Sequence, residues 1–186
     1  SAQLKIWIAA GQSRFRFWSA ASSTGEEPYT LAITLLELAR GLGKKLDLKI
    51  LATDLSNRVL KEASRGEYAE ARLKGVNKGL QSRYFRPVPG DDKKTVCVAD
   101  EVRSMVSFHR LNLSQIPYAM KGPLDAIFVR NVMIYFDDKG RDDVVGECHR
   151  MLRPDGLLIV GKSESLVRSG ELFDRAAPSV YRKRDS

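Results

Sequence analysis

Cysteine and histidine are scarce in this chain, with two of each among 186 residues. Cys97 and Cys148 lie far apart and have only His109 and His149 to join them, so neither a disulfide framework nor a zinc site is indicated and no metal is expected. No apolar run approaches the roughly 20 residues that a membrane span needs. The first residues, SAQLKIWIAAG, lack the layout of a signal peptide. These absences lead to the expectation of a cytoplasmic protein with no membrane insertion. Internal repeats and low-complexity stretches are missing too, which argues against a solenoid or a disordered tail.

The chain is 43% hydrophobic, in several apolar runs, which suits one compact domain with a substantial core. Its net charge of +8 comes from scattered Lys and Arg, with small clusters at Lys44–Lys45, Lys93–Lys94 and Arg182–Arg184. Solvated basic faces are the default reading, and an acidic protein surface is an equal candidate for a partner. With no recognition motif or aromatic stacking pattern, no nucleic-acid partner is expected.

The most informative stretch runs from Phe15 to Asp54. FRFW reads as a short buried strand, and Ser19 to Gly25 form a loop of side chains small enough for a ligand to lie against backbone. Tyr29 to Arg40 follow as a helix, with Leu31, Leu35 and Leu38 at helical spacing. Leu48 to Thr53 make a second strand, ending in Asp54. A carboxylate at that tip can accept hydrogen bonds from both hydroxyls of a ribose. The loop lacks the G-x-G-x-x-G of a dinucleotide site and has Glu26 and Glu27 where a diphosphate would arrive. Acid there repels phosphate and suits a ligand carrying an ammonium and a sulfonium, as S-adenosylmethionine does. Equally, the two acids can simply occupy the favourable negative end of a helix capped by Ser23 or Thr24.

Residues 1 to 10 read as the end of a helix with Leu4, Trp7 and Ile8 on one face. Ser56 is a cap for a short helix that stops at Gly66. Residues 67 to 107 are the least regular, with a turn at Pro87 to Gly90 and a small strand at Thr95 to Val98, and suggest an elaboration on the main sheet. Val106 to Leu111 and Leu124 to Val129 read as the third and fourth strands. Asp137 or Asp138 caps a helix with Val144, Val145, Cys148, Met151 and Leu152 on its apolar stripe, ended by a turn at Pro154 to Gly156. Leu157 to Val160 form a fifth strand and Ser179 to Arg182 a last one near the sheet's far edge. The alternation predicts an α/β fold with a doubly wound, mostly parallel sheet.

Taken together, WSAASSTGEEPYTLAI, ILATDLS, SRYF, VSFHRLNL, DAIFVRNVMIYF and LRPDGLLIVGKSESL resemble the catalytic domain of the CheR-type chemotaxis receptor glutamate methyltransferases, from about Phe15 to the C-terminus. The resemblance implies a class I S-adenosylmethionine-dependent methyltransferase fold, Rossmann-like, with a small β elaboration. It implies methyl transfer from S-adenosylmethionine to glutamates on cytoplasmic helices of chemoreceptors, giving methyl esters and S-adenosylhomocysteine, by a monomer. It divides the chain into residues 1–14, a remnant of an N-terminal helical region, and residues 15–186, the cofactor-binding domain with an inserted subdomain at about 67–107. Carried over by position, Ala20, Glu26, Glu27, Asp54, Asn112, Leu113, Arg130 and Asn131 are expected at the cofactor. Among these, Glu27, with Glu26 beside it, faces the amino-acid end, Asp54 the ribose, and Asn112 and Leu113 the adenine. Tyr135 is expected to face the transferring methyl, with Arg130 as its catalytic companion. In some members a β-subdomain loop pairs with a receptor pentapeptide; here that segment reads RPVPGDDKKTVCV, and Pro87 and Pro89 remove backbone donors from it.

Each site residue also has a plainer reading: Asn112 as a turn former, Leu113 as core, Arg130 as a surface ion-pair partner, Tyr135 and Phe136 as helix-entry packing. Two other functions compete, a methyltransferase for a small acid or RNA, and a cofactor-binding sensor without turnover.

Overall fold

The computed structural model describes residues 2–90, 94–164, 166 and 171–184. The chain opens with helix α1 (Ala2–Ala9), strand β1 (Arg14–Ala20), α2 (Glu26–Gly41), β2 (Asp47–Asp54) and α3 (Asn57–Arg65). An irregular stretch follows, made of β3 (Glu67–Ala69), α4 (Lys78–Tyr84), β4 (Phe85–Pro87), β5 (Thr95–Val98) and the single turn α5 (Asp100–Arg103). The main sheet resumes with β6 (Val106–Arg110) and β7 (Leu124–Val129), then α6 (Asp138–Met151), β8 (Leu152–Val160), β9 (Phe173–Ala177) and β10 (Val180–Lys183).

Seven strands form one sheet in the order β6-β2-β1-β7-β8-β10-β9, in which the first five are parallel and β10 pairs antiparallel with both β8 and β9. β3, β5 and β4 form a separate antiparallel sheet. β1 is central because both of its faces are apolar: Phe15, Phe17, Trp18 and Ala20 are all buried. Phe15, Phe17 and Ile50 pack with Tyr29, Ala32 and Leu35 of α2 on one side of the sheet. Trp18, Ile127 and Leu158 pack with Val144, Cys148 and Met151 of α6 on the other. Two cores on opposite faces make the sheet doubly wound, as the alternating pattern predicts.

Local chemistry sets the helix ends. Ser56 caps α3 by accepting from Val59 N, and Gly66, at φ 67°, stops it. Asp137 is the cap of α6, accepting from Gly140 N at 2.8 Å. For α2 the expectation of a Ser23 or Thr24 cap is wrong: its N-cap is Gly25, at φ 92°, with no side-chain cap bond. A Cβ there would lie 3.0 Å from both Ala63 Cβ and Tyr68 Oη, so this close approach needs glycine.

The far side of the sheet also differs from the sequence reading. β8 begins at Leu152 and absorbs the Pro154–Gly156 turn as an excursion, its register passing from Leu124↔Leu152 to Ala126↔Leu157. The last strand does lie near the far edge, but β9, which the sequence did not signal, pairs outside it. Of the segment resembling the pentapeptide-pairing loop, Asp91 to Lys93 lie outside the described residues, and Lys93 of the basic clusters with them. Among the described residues no helix is long and apolar enough to cross a membrane.

Candidate functional site

The chain adds β2 and then β6 to one side of β1 and returns to add β7 on its other side. That reversal between β1 and β7 leaves a crevice at the C-terminal strand ends, where open α/β sheets bind ligands. The register aligns those ends: Ala20 pairs with Thr53 and Val129, Thr53 with His109, and Val129 with Val160. Five successive loops therefore leave the sheet along one edge.

A cleft of about 540 Å³ opens there, lined by Ala21, Ser23, Asp54, Leu55, Asn112, Leu113, Asn131 and Tyr135, among others. The volume lies within the roughly 300–1,000 Å³ usual for small-ligand sites. Three of its lining residues, Ala21, Ser23 and Asn131, hold positive φ (57°, 49° and 58°) without being glycine. Such left-handed backbone is strained and tends to collect where a site over-determines its loops.

The first loop is pinned from several sides. Ser22 N donates to Thr53 O at 2.8 Å, Gly25 N to Ser22 O at 3.0 Å, and Ser23 N to the Asp54 carboxylate at 2.9 Å. Asp54 accepts from Ser56 N with its other oxygen, also at 2.9 Å. One carboxylate thus ties the β1 loop to the start of α3, and it keeps further lone pairs for a ligand. Below the loop, Tyr68 donates to Thr24 O at 2.7 Å and Tyr29 to Ala63 O at 2.9 Å. Burial raises both phenols, Tyr29 to about 12, so each stays a donor at neutral pH. Ser22 Oγ is buried and has no hydrogen-bond partner among the described residues.

Asp54, Asn112, Leu113, Asn131 and Tyr135 are thus gathered in one cleft. Ala20 is a buried strand end beneath it. Glu26, Glu27 and Arg130 line a second hollow of about 510 Å³ with Thr30, Leu31, Thr34 and Phe128. The two acids diverge within it. Glu27 accepts from the Ser19 hydroxyl at 2.8 Å and pairs with Arg130 at 2.9 Å, whereas Glu26 turns to Arg72 and the Thr24 hydroxyl. Three of the plainer readings hold locally as well: Asn112 Oδ1 accepts from Ser114 N at 3.0 Å as in a turn, Leu113 is buried in the core, and Arg130 is half-exposed in its ion pair. Helix-entry packing does not describe Tyr135, whose surface is 80% exposed.

Sequence reasoning missed Ser19, which orients Glu27, and Glu164, which reaches from the β8 loop to the backbone after β7. Glu164 falls inside the string GKSESL, but a lone acid among serines gives no signal of its partners; Ser165 of that string lies outside the described residues.

The chemistry on offer is a carboxylate at the tip of β2 for a hydroxyl pair, flanking groups after β6 for a flat ring, and a phenol at the rim. Beside them sit an acid and a guanidinium in mutual contact. No group of three or more His, Cys, Asp or Glu among the described residues is arranged to hold a metal.

Comparison with known proteins agrees with this arrangement. The family model described as CheR methyltransferase, SAM binding domain, matches residues 3–181. The chain is 39% identical over 166 residues to chemotaxis protein methyltransferase 2 of Pseudomonas aeruginosa, covering 89% of this chain and 59% of that protein. It is 40% identical over 168 residues to the chemotaxis protein methyltransferase of Salmonella typhimurium (90% and 57%), and 39% identical over 171 residues to that of Borreliella burgdorferi (92% and 59%). The chain therefore spans less than two thirds of the length of these relatives. It belongs to the CheR methyltransferase family, and what it carries is the S-adenosylmethionine-binding domain.

Proposed function

We propose that this chain is the catalytic domain of a protein-glutamate O-methyltransferase that methylates glutamates on the cytoplasmic helices of chemoreceptors. The observation that carries the reading is the sharing of one cleft by Asp54 and Tyr135 at the β1/β7 crevice, a ribose acceptor and a phenol donor within a single ligand's reach. The relatives named above are chemotaxis methyltransferases, and the chain's charge of +8 suits an acidic receptor surface.

The residues fit the family's cofactor. S-adenosylmethionine, when bound, supplies a methyl group made electrophilic by its sulfonium. Asp54 would accept from the ribose hydroxyls and Asn112 and Leu113 would flank the adenine, in the cleft that Asn131 and Tyr135 also line. A diphosphate in the cleft would meet the Asp54 carboxylate and is disfavoured by it. The fit rests on the donor set that lines this one cleft, a carboxylate, two carboxamides and a phenol from Asp54, Asn112, Asn131 and Tyr135.

A substrate glutamate has a pKa of about 4.3, so it arrives ionised and no general base is needed. Its oxygen supplies the electron pair of the new O–C bond, the pair of the broken S–C bond stays on sulfur, and no proton moves. Tyr135 donates its hydroxyl hydrogen bond to the carboxylate and holds it in line. Arg130, kept in position by Glu27 in the second hollow, precedes the turn that carries Tyr135 and is the further donor assigned to the substrate. Both charges are quenched as transfer proceeds, so excluding water helps, and alignment is the main contribution.

The test is incubation with methyl-labelled S-adenosylmethionine and a chemoreceptor cytoplasmic fragment. Alkali-labile label in the receptor is expected, and Tyr135→Phe is expected to lower kcat by about ten- to a hundredfold with little change in cofactor affinity. Cofactor binding without label would establish a sensor, and nuclease-sensitive label an RNA methyltransferase. Full activity in Tyr135→Phe would remove that residue's role.

A further inference from the structure

Resting on that reading, we propose that Glu164 is a positioning residue for methyl transfer, fixing the turn that carries Arg130, Asn131 and Tyr135. Glu164 is 8% exposed and comes from the loop after β8. Its carboxylate accepts four backbone hydrogen bonds. One oxygen takes Val132 N at 3.0 Å and Met133 N at 2.9 Å, and the other takes Asn131 N at 2.9 Å and Gly161 N at 2.6 Å.

Three successive N–H groups converge on this one carboxylate because the backbone curls into a nest, in which a left-handed residue turns the donors to one side. Asn131, at φ 58°, is that residue. The strained backbone at the rim of the cleft thus has a definite cause: it is held by charge-assisted bonds to a carboxylate about thirty residues away in sequence. The turn then closes through Tyr135 N to Val132 O at 3.1 Å, which sets where the Tyr135 ring leaves the chain. The approach is tight. A Cβ on Gly161 would overlap Glu164 Oε2 and lie 3.2 Å from Asn131 N, so glycine at 161 lets the carboxylate in.

Glu164→Gln keeps the shape, but one oxygen becomes an amide that cannot accept, leaving two of the four N–H groups without a partner in either orientation. A merely structural role would reduce the folded fraction, lowering cofactor-binding stoichiometry and rate together. A positioning role separates them. The expected result for folded Glu164→Gln is a fall in kcat of at least about thirtyfold, with cofactor affinity within about fivefold. Amide exchange at Asn131, Val132 and Met133 is expected to speed up by about tenfold or more while β1 and β2 keep their protection. Glu164→Asp, which retains both oxygens one methylene short, is expected to recover part of the rate, and it serves as the variant should Glu164→Gln fail to fold.

Unchanged kcat in either folded variant overturns the proposal, as does a rate that falls only in proportion to the sites titrated by S-adenosylhomocysteine. If the unmutated protein methylates no receptor, the functional reading fails by itself. Glu164 is then judged by exchange, and unaltered exchange at residues 131–133 in the variant overturns its role in the turn.

Discussion

Replacing Asp54 with alanine separates the two jobs of one carboxylate. In the free protein its oxygens accept from Ser23 N and Ser56 N, both at 2.9 Å, so the substitution loosens the β1 loop and the entry to α3. Hydrogen bonds to a charged group contribute about 1.5–3 kcal/mol each when buried. These two are exposed or half-buried, and water replaces part of their strength, so a total loss of about 1–3 kcal/mol is expected. For a domain of this size that lowers Tm by roughly 3–10 °C. If, as proposed, the same carboxylate accepts from the ribose hydroxyls of a bound ligand, losing that contact costs about 1.5–3 kcal/mol, or roughly ten- to a hundredfold in Kd.

Calorimetric titration with S-adenosylhomocysteine and its 2′-deoxy analogue tells the two jobs apart. If Asp54 binds the ribose, the unmutated protein prefers the parent ligand by about tenfold, and Asp54→Ala loses most of that preference because the hydroxyl no longer has its acceptor. If the carboxylate only braces the loop, Asp54→Ala weakens both ligands equally and the preference survives. Equal weakening, or no weakening, would refute the assignment of Asp54 to the ribose.

Other consequences are as direct. Gly25→Ala forces a Cβ into left-handed backbone against Ala63 and Tyr68, and should cost about 1–3 kcal/mol in thermal or denaturant unfolding. Asp125, buried at the opposite end of the sheet, accepts from Gln12 Nε2 at 2.6 Å and Arg16 N at 2.7 Å and pairs with Arg153 at 3.1 Å; Asp125→Ala should cost about 3–5 kcal/mol yet leave S-adenosylhomocysteine affinity unchanged. Burial, with Lys183 adding to it, holds His149 below its usual range. The unfolded chain then binds more protons near its own value of about 6.5, so His149's contribution to stability is complete above that pH and is lost as pH falls through the lower folded value. His149→Gln should flatten the stability profile between about pH 7 and 5, and an unchanged slope would exclude the effect.

Legibility in the sequence followed how local the causes were. β1, β2 and β7 were readable because each carries towards its end a largely buried, mostly apolar run, Phe17–Ala20, Ile50–Thr53 and Ala126–Val129. α3 and α6 were readable because Ser56, Gly66 and Asp137 carry their caps in adjacent residues. β9 was not, since it exposes all but Phe173 and pairs only at the edge. Nor was the α2 cap: two acids after Ser-Ser-Thr look like a capped helix start, but the tight contact with α3 and Tyr68 selects the glycine instead. Within the site, Asp54, Asn112 and Asn131 were foreseeable as strand-tip residues, whereas the parting of Glu26 from Glu27 depends on Arg72 and Arg130, which fold in from elsewhere.

The two ends of the sheet are built to different purposes. At the N-terminal end Asp125 draws Gln12, Arg16 and Arg153 together, and Arg153 also sits 4.9 Å over the Trp7 ring, so the strands, α1 and β8 are locked to one another. At the C-terminal end two carboxylates bind loop backbone: Asp54 holds the loop after β1 and Glu164 the loop after β7. Those two loops carry Ala21, Ser23 and Asn131, the strained residues of the cleft, and β1 and β7 are the strands between which the chain reverses. Braced in this way, loops without regular structure can keep a fixed shape before ligand arrives, and the ordering cost of binding falls accordingly. Alignment at this rim therefore depends on side chains that need not touch the reacting atoms.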